Sequence, residues 1–285
     1  TAVIMSEFDP VRIWEVFGEE KVTVTLAVPA MLNFMLLTLD KEAHDYSTLR
    51  FCLSGAAPVP VSLIETYEEM GIEIHQVYGL TESGGPGCVI TAADALTRAG
   101  STGKGFFFND IRIVDEQGNE CGAEEPGEIL IRSPHNMTGY WNRPEATAEA
   151  VVDGWLKTGD IAIYDKDGFV YIQDRVKDMI ISGGENIYPR EIEDVLFQIP
   201  AVADAAVIGV PDEKWGETVK ALVVLEPGSD VSERDLIDHC RDRLTHYKCP
   251  TSVEFRDELS RTATGKLQKY KLRQPYWAGR DKLVN

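Results

Sequence analysis

The chain has 285 residues, 44% of them hydrophobic, and a formal net charge of −19. That length suits one large domain or two unequal ones, since domains run to about 100–200 residues, and either arrangement buries a sizeable core. The acidity argues against nucleic acid and anionic membrane surfaces as partners, because both require a basic face, but not against anionic small molecules, which respond to local charge.

The five cysteines, Cys52, Cys88, Cys121, Cys240 and Cys249, are an odd number without CxxC spacing. They suggest neither a disulfide framework nor a zinc site, and a reducing, cytoplasmic setting is expected. The longest nearly apolar stretch, Ala27–Leu39, is interrupted by Asn33 and is too short to cross a bilayer. Thr1 opens directly into AVIM (Ala2–Met5) with no initiator Met and no charged n-region. Nothing there resembles a signal peptide, and the chain is expected to begin inside a fold, as a piece of a longer protein.

In chain order, Pro10–Phe17 spaces Ile13, Val16 and Phe17 as a helix does, and Val22–Val28 reads as a strand. Phe51–Leu53 is a short strand before the Gly/Pro turn Ser54–Pro60. Pro60–Met70 carries Leu63, Ile64 and Tyr67 on one helical face with Gly71 to stop it, and Ile72–Val77 is the next strand. This alternation predicts a mainly parallel α/β layer. From about Gly100 to Asp174 the texture changes to short alternating strands, Ile111–Val114, Glu128–Ile131 and Phe169–Ile172, separated by Gly/Asp/Asn turns; a small antiparallel sheet or barrel is expected. After Asp178 come a proline-started helix, Pro189–Phe197, strands at Ala205–Val210 and Ala221–Leu225, and a capping pattern, Ser232-x-x-Asp235. That helix turns Leu236, Ile237, Cys240 and Leu244 inward, completing a compact α+β module.

Four segments carry candidate chemistry, each weak by itself. In Gln76–Ser83 (QVYGLTES) a strand is expected to run into a Gly turn bearing Thr81 and Glu82. A hydroxyl beside a carboxylate at a strand's C-terminal end suits phosphate and Mg²⁺, although a capped loop looks the same. In Gly154–Asp160 (GWLKTGD) an Asp after a Gly turn can accept hydrogen bonds from a ribose diol; most such turns are only turns. Asp174–Glu193 (DRVKDMIISGGENIYPREIE) is dense in charge and holds the pair Gly183–Gly184, which permits close approach to a ligand or a positive φ; it also reads as a hinge between domains. Ser260–Arg273 (SRTATGKLQKYKLR) carries Lys266 after a glycine on an expected mobile loop, where an ammonium can neutralise phosphate charge or simply face solvent.

In their order and spacing, YGLTES, GWLKTGD, DRVKDMIISGGENIYPREIE and RTATGK resemble the adenylate-forming superfamily of acyl-CoA synthetases, adenylation domains and luciferases. LRFCLSGAAPVP, GSTGKG, GEILIRSPHNMTGYWNRPEAT and IGVPDEKWGE fill the gaps, so the resemblance covers nearly the whole chain. ISGGENIYPREIE and VIGVPDEKWGE look most like medium- to long-chain fatty acyl-CoA ligases. The implied fold is α/β plus α+β. Residues 1–176 would be the C-terminal portion of a large domain (α/β layer to about residue 100, then a β-barrel-like part), and residues 177–285 a small mobile domain.

The resemblance also implies a chemistry: a carboxylic acid, here a fatty acid, is activated by ATP and Mg²⁺ as an acyl-AMP and passed to CoA. Carried over by motif, Thr81 would contact phosphate, Glu82 would hold Mg²⁺, and Gly79 and Leu80 would lie by the adenine and acyl portion, with Tyr78 stacking near the base. Asp160 would bind the ribose hydroxyls, supported by Arg175, and Lys266 would bridge carboxylate and phosphate. Lys177 would be the hinge, Gly183 and Gly184 would line the pantetheine tunnel, and Trp215 and Lys248 would lie near CoA. Two departures stand out. The family's phosphate loop, of the type TSGTTGxPKG, is absent from this sequence and is expected upstream, so the piece alone should not run the full reaction at a normal rate. Cys249, in YKCP, stands where many relatives place a basic residue that can contact CoA phosphate. Alternatives are an aryl-CoA or carrier-protein ligase and, in another class, a non-catalytic nucleotide- or partner-binding module. For a lipid substrate the reading includes peripheral contact with a bilayer, with no basic amphipathic helix in its support.

Overall fold

Helix α1 (Arg12–Glu19) begins where the Asp9 carboxylate accepts the backbone N–H groups of Val11 and Arg12, and its Ile13, Trp14, Val16 and Phe17 face the core. The apolar run after it becomes strand β1 (Val24–Leu26) and helix α2 (Pro29–Thr38). The helix is held by side-chain bonds to its carbonyls: Trp14 Nε1 donates to Met35 O and Tyr67 Oη donates to Leu32 O, both at 2.8 Å. Leu32 and Met35 are fully buried, each worth about 1.5–3 kcal/mol.

The structure, a computed structural model, describes residues 1–56, 59–262 and 267–278. It divides into one unit of Thr1–Thr158 with Ala162–Ile172 and a second of Gly159–Ile161 with the residues from Gln173 onward. In the first unit, β1, β2 (Phe51–Ser54) and β3 (Glu73–Leu80) pair in parallel, with α3 (Val61–Glu69) between β2 and β3 and Gly71 at φ 78° after it. Strand β3 does not end at Val77 as the hydrophobic pattern suggests. Its second half leaves β2 and pairs antiparallel with β4 (Gly85–Val89), which in turn pairs with β5 (Lys104–Gly105); α4 (Ala92–Ala95) lies between them in sequence. Backbone pairing, which alternation of side chains does not report, carries the strand to Leu80.

The next layer is a five-stranded half-barrel sheet ordered β10-β9-β7-β6, from β6 (Asp110–Val114), β7 (Gly127–Arg132), β9 (Trp155–Tyr164) and β10 (Val170–Arg175). Helix α5 (Pro144–Ala150) leads into β8 (Val151–Val152), which pairs with β9. Cys88, Ile113, Ile129, Ala162 and Val170 form this layer's core. The segment Thr158–Asp160, expected as a turn, lies inside β9. Gly159 keeps a positive φ of 70° there, a conformation that glycine adopts without steric cost.

In the second unit, β11 (Ile180–Ser182) and β12 (Glu185–Ile187) form a hairpin, and α6 (Pro189–Leu196) turns Ile192, Val195 and Leu196 inward. The long pair β13 (Val202–Asp212) and β14 (Gly216–Leu225) supplies the sheet, ordered β12-β11-β14-β13, with β15 (Ser252–Phe255) parallel to β14. Helix α7 (Glu233–Arg241) opens on a capping box in which Ser232 and Asp235 satisfy each other's backbone N–H, worth about 1 kcal/mol. It buries Leu236 and Cys240 fully, and α8 (Lys269–Arg273) follows. Among the described residues no helix is long and apolar enough to cross a membrane.

Candidate functional site

In the first unit the site is the end of β3 and the turn after it. Gly79 is not the turn glycine. It sits in the strand, where a Cβ would lie 2.5 Å from Gly85 O, so the close approach of β4 requires a residue without a side chain. The turn is a 3₁₀ segment, Thr81–Ser83, closed by Gly84 at φ 64°. Ser83, buried, ties its two sides together: its hydroxyl shares its one proton between Leu80 O at 2.8 Å and Gly85 O at 2.6 Å and accepts from Leu80 N. Thr81 is exposed. Tyr78 packs against the half-barrel core.

The segment after β7 docks on this turn. Met137 N donates to Glu82 O at 2.7 Å, His135 Nδ1 lies 2.9 Å from Ser83 O, and Tyr140 Oη donates to Glu82 Oε1 at 2.9 Å. Desolvation and the bond to Glu82 push the Tyr140 phenol up, so it stays a donor. Ser83, His135 and Tyr140 carry no assignment from sequence. The family-like stretch GEILIRSPHNMTGYWNRPEAT holds the last two of them but does not say what they touch. Tyr140 grips one oxygen of Glu82, an arrangement that fits Mg²⁺, which commonly binds one or two carboxylates together with substrate phosphates. Among the described residues no group of three or more His, Cys, Asp or Glu side chains is placed to hold a metal unaided.

Gly84 is the weak point of this arrangement, since a Cβ there would lie 2.1 Å from the His135 carbonyl oxygen. Gly84→Ala is expected to lower the melting temperature well beyond Gly71→Ala, whose Cβ meets open space at φ 78°. The control should lose about 1 kcal/mol from the left-handed φ alone. Thermal melts of both variants check this, and equal losses would mean that the His135 segment is not pressed against the turn.

In the second unit, Arg175 Nε reaches Asp160 Oδ1 at 3.4 Å. The Asp160 side chain is 13% exposed and that of Arg175 39%, so the carboxylate is partly desolvated and oriented by a cation. Lys177 is exposed in a 3₁₀ turn, Val176–Asp178. Gly183 and Gly184, at φ 61° and 90°, form the turn of the β11–β12 hairpin. Gly183 N donates to Trp215 O at 2.9 Å, and a Cβ on Gly183 would lie 2.7 Å from the Trp215 ring. Trp215 is 50% exposed, with Lys214 Nζ 4.3 Å over its ring. Lys248 is engaged by both oxygens of Glu191 at 2.9 and 2.7 Å. Cys249 is buried, its thiol directed to Leu244 O and Thr245 O and raised by desolvation, and is a core residue of this unit. Lys266 lies outside the described residues.

Comparison with known proteins bears on these two constellations. The model of the AMP-binding enzyme family matches residues 1–141, and that of the AMP-binding enzyme C-terminal domain matches residues 191–266. Long-chain-fatty-acid–CoA ligase FadD13 of Mycobacterium tuberculosis is 44% identical over 98% of this chain and 55% of its own length. Feruloyl-CoA synthase of an Amycolatopsis species is 43% identical over 97% of this chain and 56% of its own. The structure of o-succinylbenzoate CoA synthetase from Bacillus subtilis, in complex with the acyl-adenylate intermediate OSB-AMP, superposes with a TM-score of 0.83 at 38% identity, over 93% of this chain and 54% of that one. The chain spans about half the length of the curated relatives it matches. With both family models matched in order and relatives of this identity along nearly its whole length, the chain belongs to the AMP-binding, adenylate-forming enzyme family.

Proposed function

We propose that the complete protein is an AMP-forming acid–thiol ligase that activates a fatty acid as an acyl-AMP and transfers it to CoA. In the first half-reaction a carboxylate oxygen bonds to the α-phosphorus of ATP and the bond to the β-phosphate breaks, releasing pyrophosphate. In the second, the CoA sulfur bonds to the acyl carbon, AMP departs and the thiol proton is lost. The observation that carries this reading is Glu82, held at the end of β3 by Tyr140 and flanked by the exposed Thr81. A carboxylate and a hydroxyl so placed suit a nucleotide phosphate. Mg²⁺, when bound, supplies charge neutralisation at the phosphates.

The remaining assignments belong to the same reading. Tyr78, Gly79 and Leu80 border the base and acyl portion, and Asp160, oriented by Arg175, receives the ribose hydroxyls. Lys266 bridges carboxylate and phosphate. Lys177 is the hinge between a large domain ending at residue 176 and a small one from residue 177, its turn taking one conformation in each half-reaction. Gly183, Gly184, Trp215 and Lys248 serve the CoA step. Such a site works by positioning and electrostatic stabilisation, with no protein nucleophile.

The test is AMP release by the complete protein given ATP, Mg²⁺ and palmitate, with and without CoA. CoA-dependent release is expected. Release only with a cinnamic-type acid would move the substrate to the aryl class, a second reading favoured by the identity to a feruloyl-CoA synthase. Absence of release with either acid would overturn the ligase assignment.

A further inference from the structure

The ion pairs around α8 join two stretches of sequence that the proposed mechanism treats separately. Lys269 Nζ lies 2.9 Å from Glu193 Oε1 and 3.9 Å from Asp174 Oδ2, with side-chain exposures of 12%, 11% and 7% for Lys269, Glu193 and Asp174. Both carboxylates have further duties. Asp174 accepts the backbone N–H of Arg175 and Arg190, and Glu193 accepts that of Val207. Desolvation works against the Lys269 ammonium, but Glu193 and Asp174 outweigh it and hold the group above the ordinary lysine range. Lys269 is therefore a fixed anchor.

Four residues on, and so on the same helical face, Arg273 Nη1 donates to Lys177 O at 2.7 Å and lies 3.4 Å from Asp178 Oδ1. The turn it grips, Val176–Asp178, is closed by Met179 N donating to Arg175 O at 3.0 Å. A carbonyl cannot keep a fixed hydrogen bond to a neighbouring helix while its own peptide reorients. The Arg273–Lys177 bond therefore belongs to one backbone conformation of this turn.

We infer that α8 is the clamp of the hinge, with Lys269 as its anchor and Arg273 as a positioning residue that holds the Lys177 peptide in one of its two working conformations. This rests on the proposed ligase reading, in which the Lys177 turn changes conformation between half-reactions. Lys266 precedes Lys269 by three residues in the sequence. Neither duty falls to a residue that touches substrate.

The test uses the complete protein and the variants Arg273→Ala and Arg273→Lys. Lys269 is left intact because its removal would strand two buried carboxylates and endanger folding. Amide hydrogen exchange at Met179 is expected to quicken about tenfold in Arg273→Ala, the weight of one hydrogen bond from a charged group, and to slow again in Arg273→Lys. Unchanged exchange overturns the clamp. Separately, pyrophosphate release without CoA and thioester formation from supplied acyl-AMP are expected to change unequally, their ratio moving about tenfold. Equal loss in both, as from a merely structural residue, also overturns it. A wild-type protein that performs neither half-reaction would refute the ligase reading instead, and the exchange measurement would still decide for or against the clamp.

Discussion

Lys266→Ala is expected to slow acyl-AMP formation by about 10²–10³-fold while thioester formation from supplied acyl-AMP stays within about twofold of wild type. The physical reason is where charge develops. During adenylation an anionic carboxylate approaches an anionic phosphate, and an ammonium between them offsets a repulsion that grows toward the transition state. In the second step the acyl group already sits on phosphate and the incoming atom is sulfur, so the same cation has no comparable charge to stabilise. The measurement is single-turnover pyrophosphate release for the first step and CoA-dependent AMP release from purified acyl-AMP for the second, in the complete protein. Equal losses in both would remove Lys266 from its proposed role.

Gly183→Ala should produce the opposite split. Alanine at φ 61° costs about 1 kcal/mol of backbone strain, too little to unfold a unit with the core of this one. The new methyl would lie 2.7 Å from the Trp215 ring, and because that side chain is half exposed it can swing away. Under the proposed function, displacing it reshapes the surface that receives the thiol arm. CoA-dependent turnover is expected to fall by about tenfold or more with acyl-AMP formation intact. Gly184→Ala is the control, since its φ is also positive but a Cβ there meets nothing within 4 Å. If the two variants lose thioester formation equally, strain alone is responsible and Trp215 has no part in the step.

Local chemistry made much of the fold legible from sequence. The Ser232–Asp235 capping box, the inward face of α6 and the stop at Gly71 depend on residues within a few positions of one another. Hydrophobic periodicity and cap residues report such features directly. The resemblance of the motifs, which does not depend on geometry, named the family that the comparisons then showed. What sequence by itself determined, then, was part of the order of elements, the family and the residue types available to the site.

Tertiary structure decided how those residues are used. Strand β3 runs on to Leu80 because β4 pairs with its second half, which moves the turn from Gly79 to Gly84. Thr158–Asp160 is a strand segment because it lies within β9, although its composition is that of a turn. Tyr140 meets Glu82 across 58 positions, and Arg273 meets Lys177 across 96. No local propensity encodes such distances. Hydrogen-bond partners, the glycines that must stay bare and the grip on the turn at Lys177 arise only when distant segments are packed together, because a donor in the sequence does not reveal which acceptor the fold will bring to it.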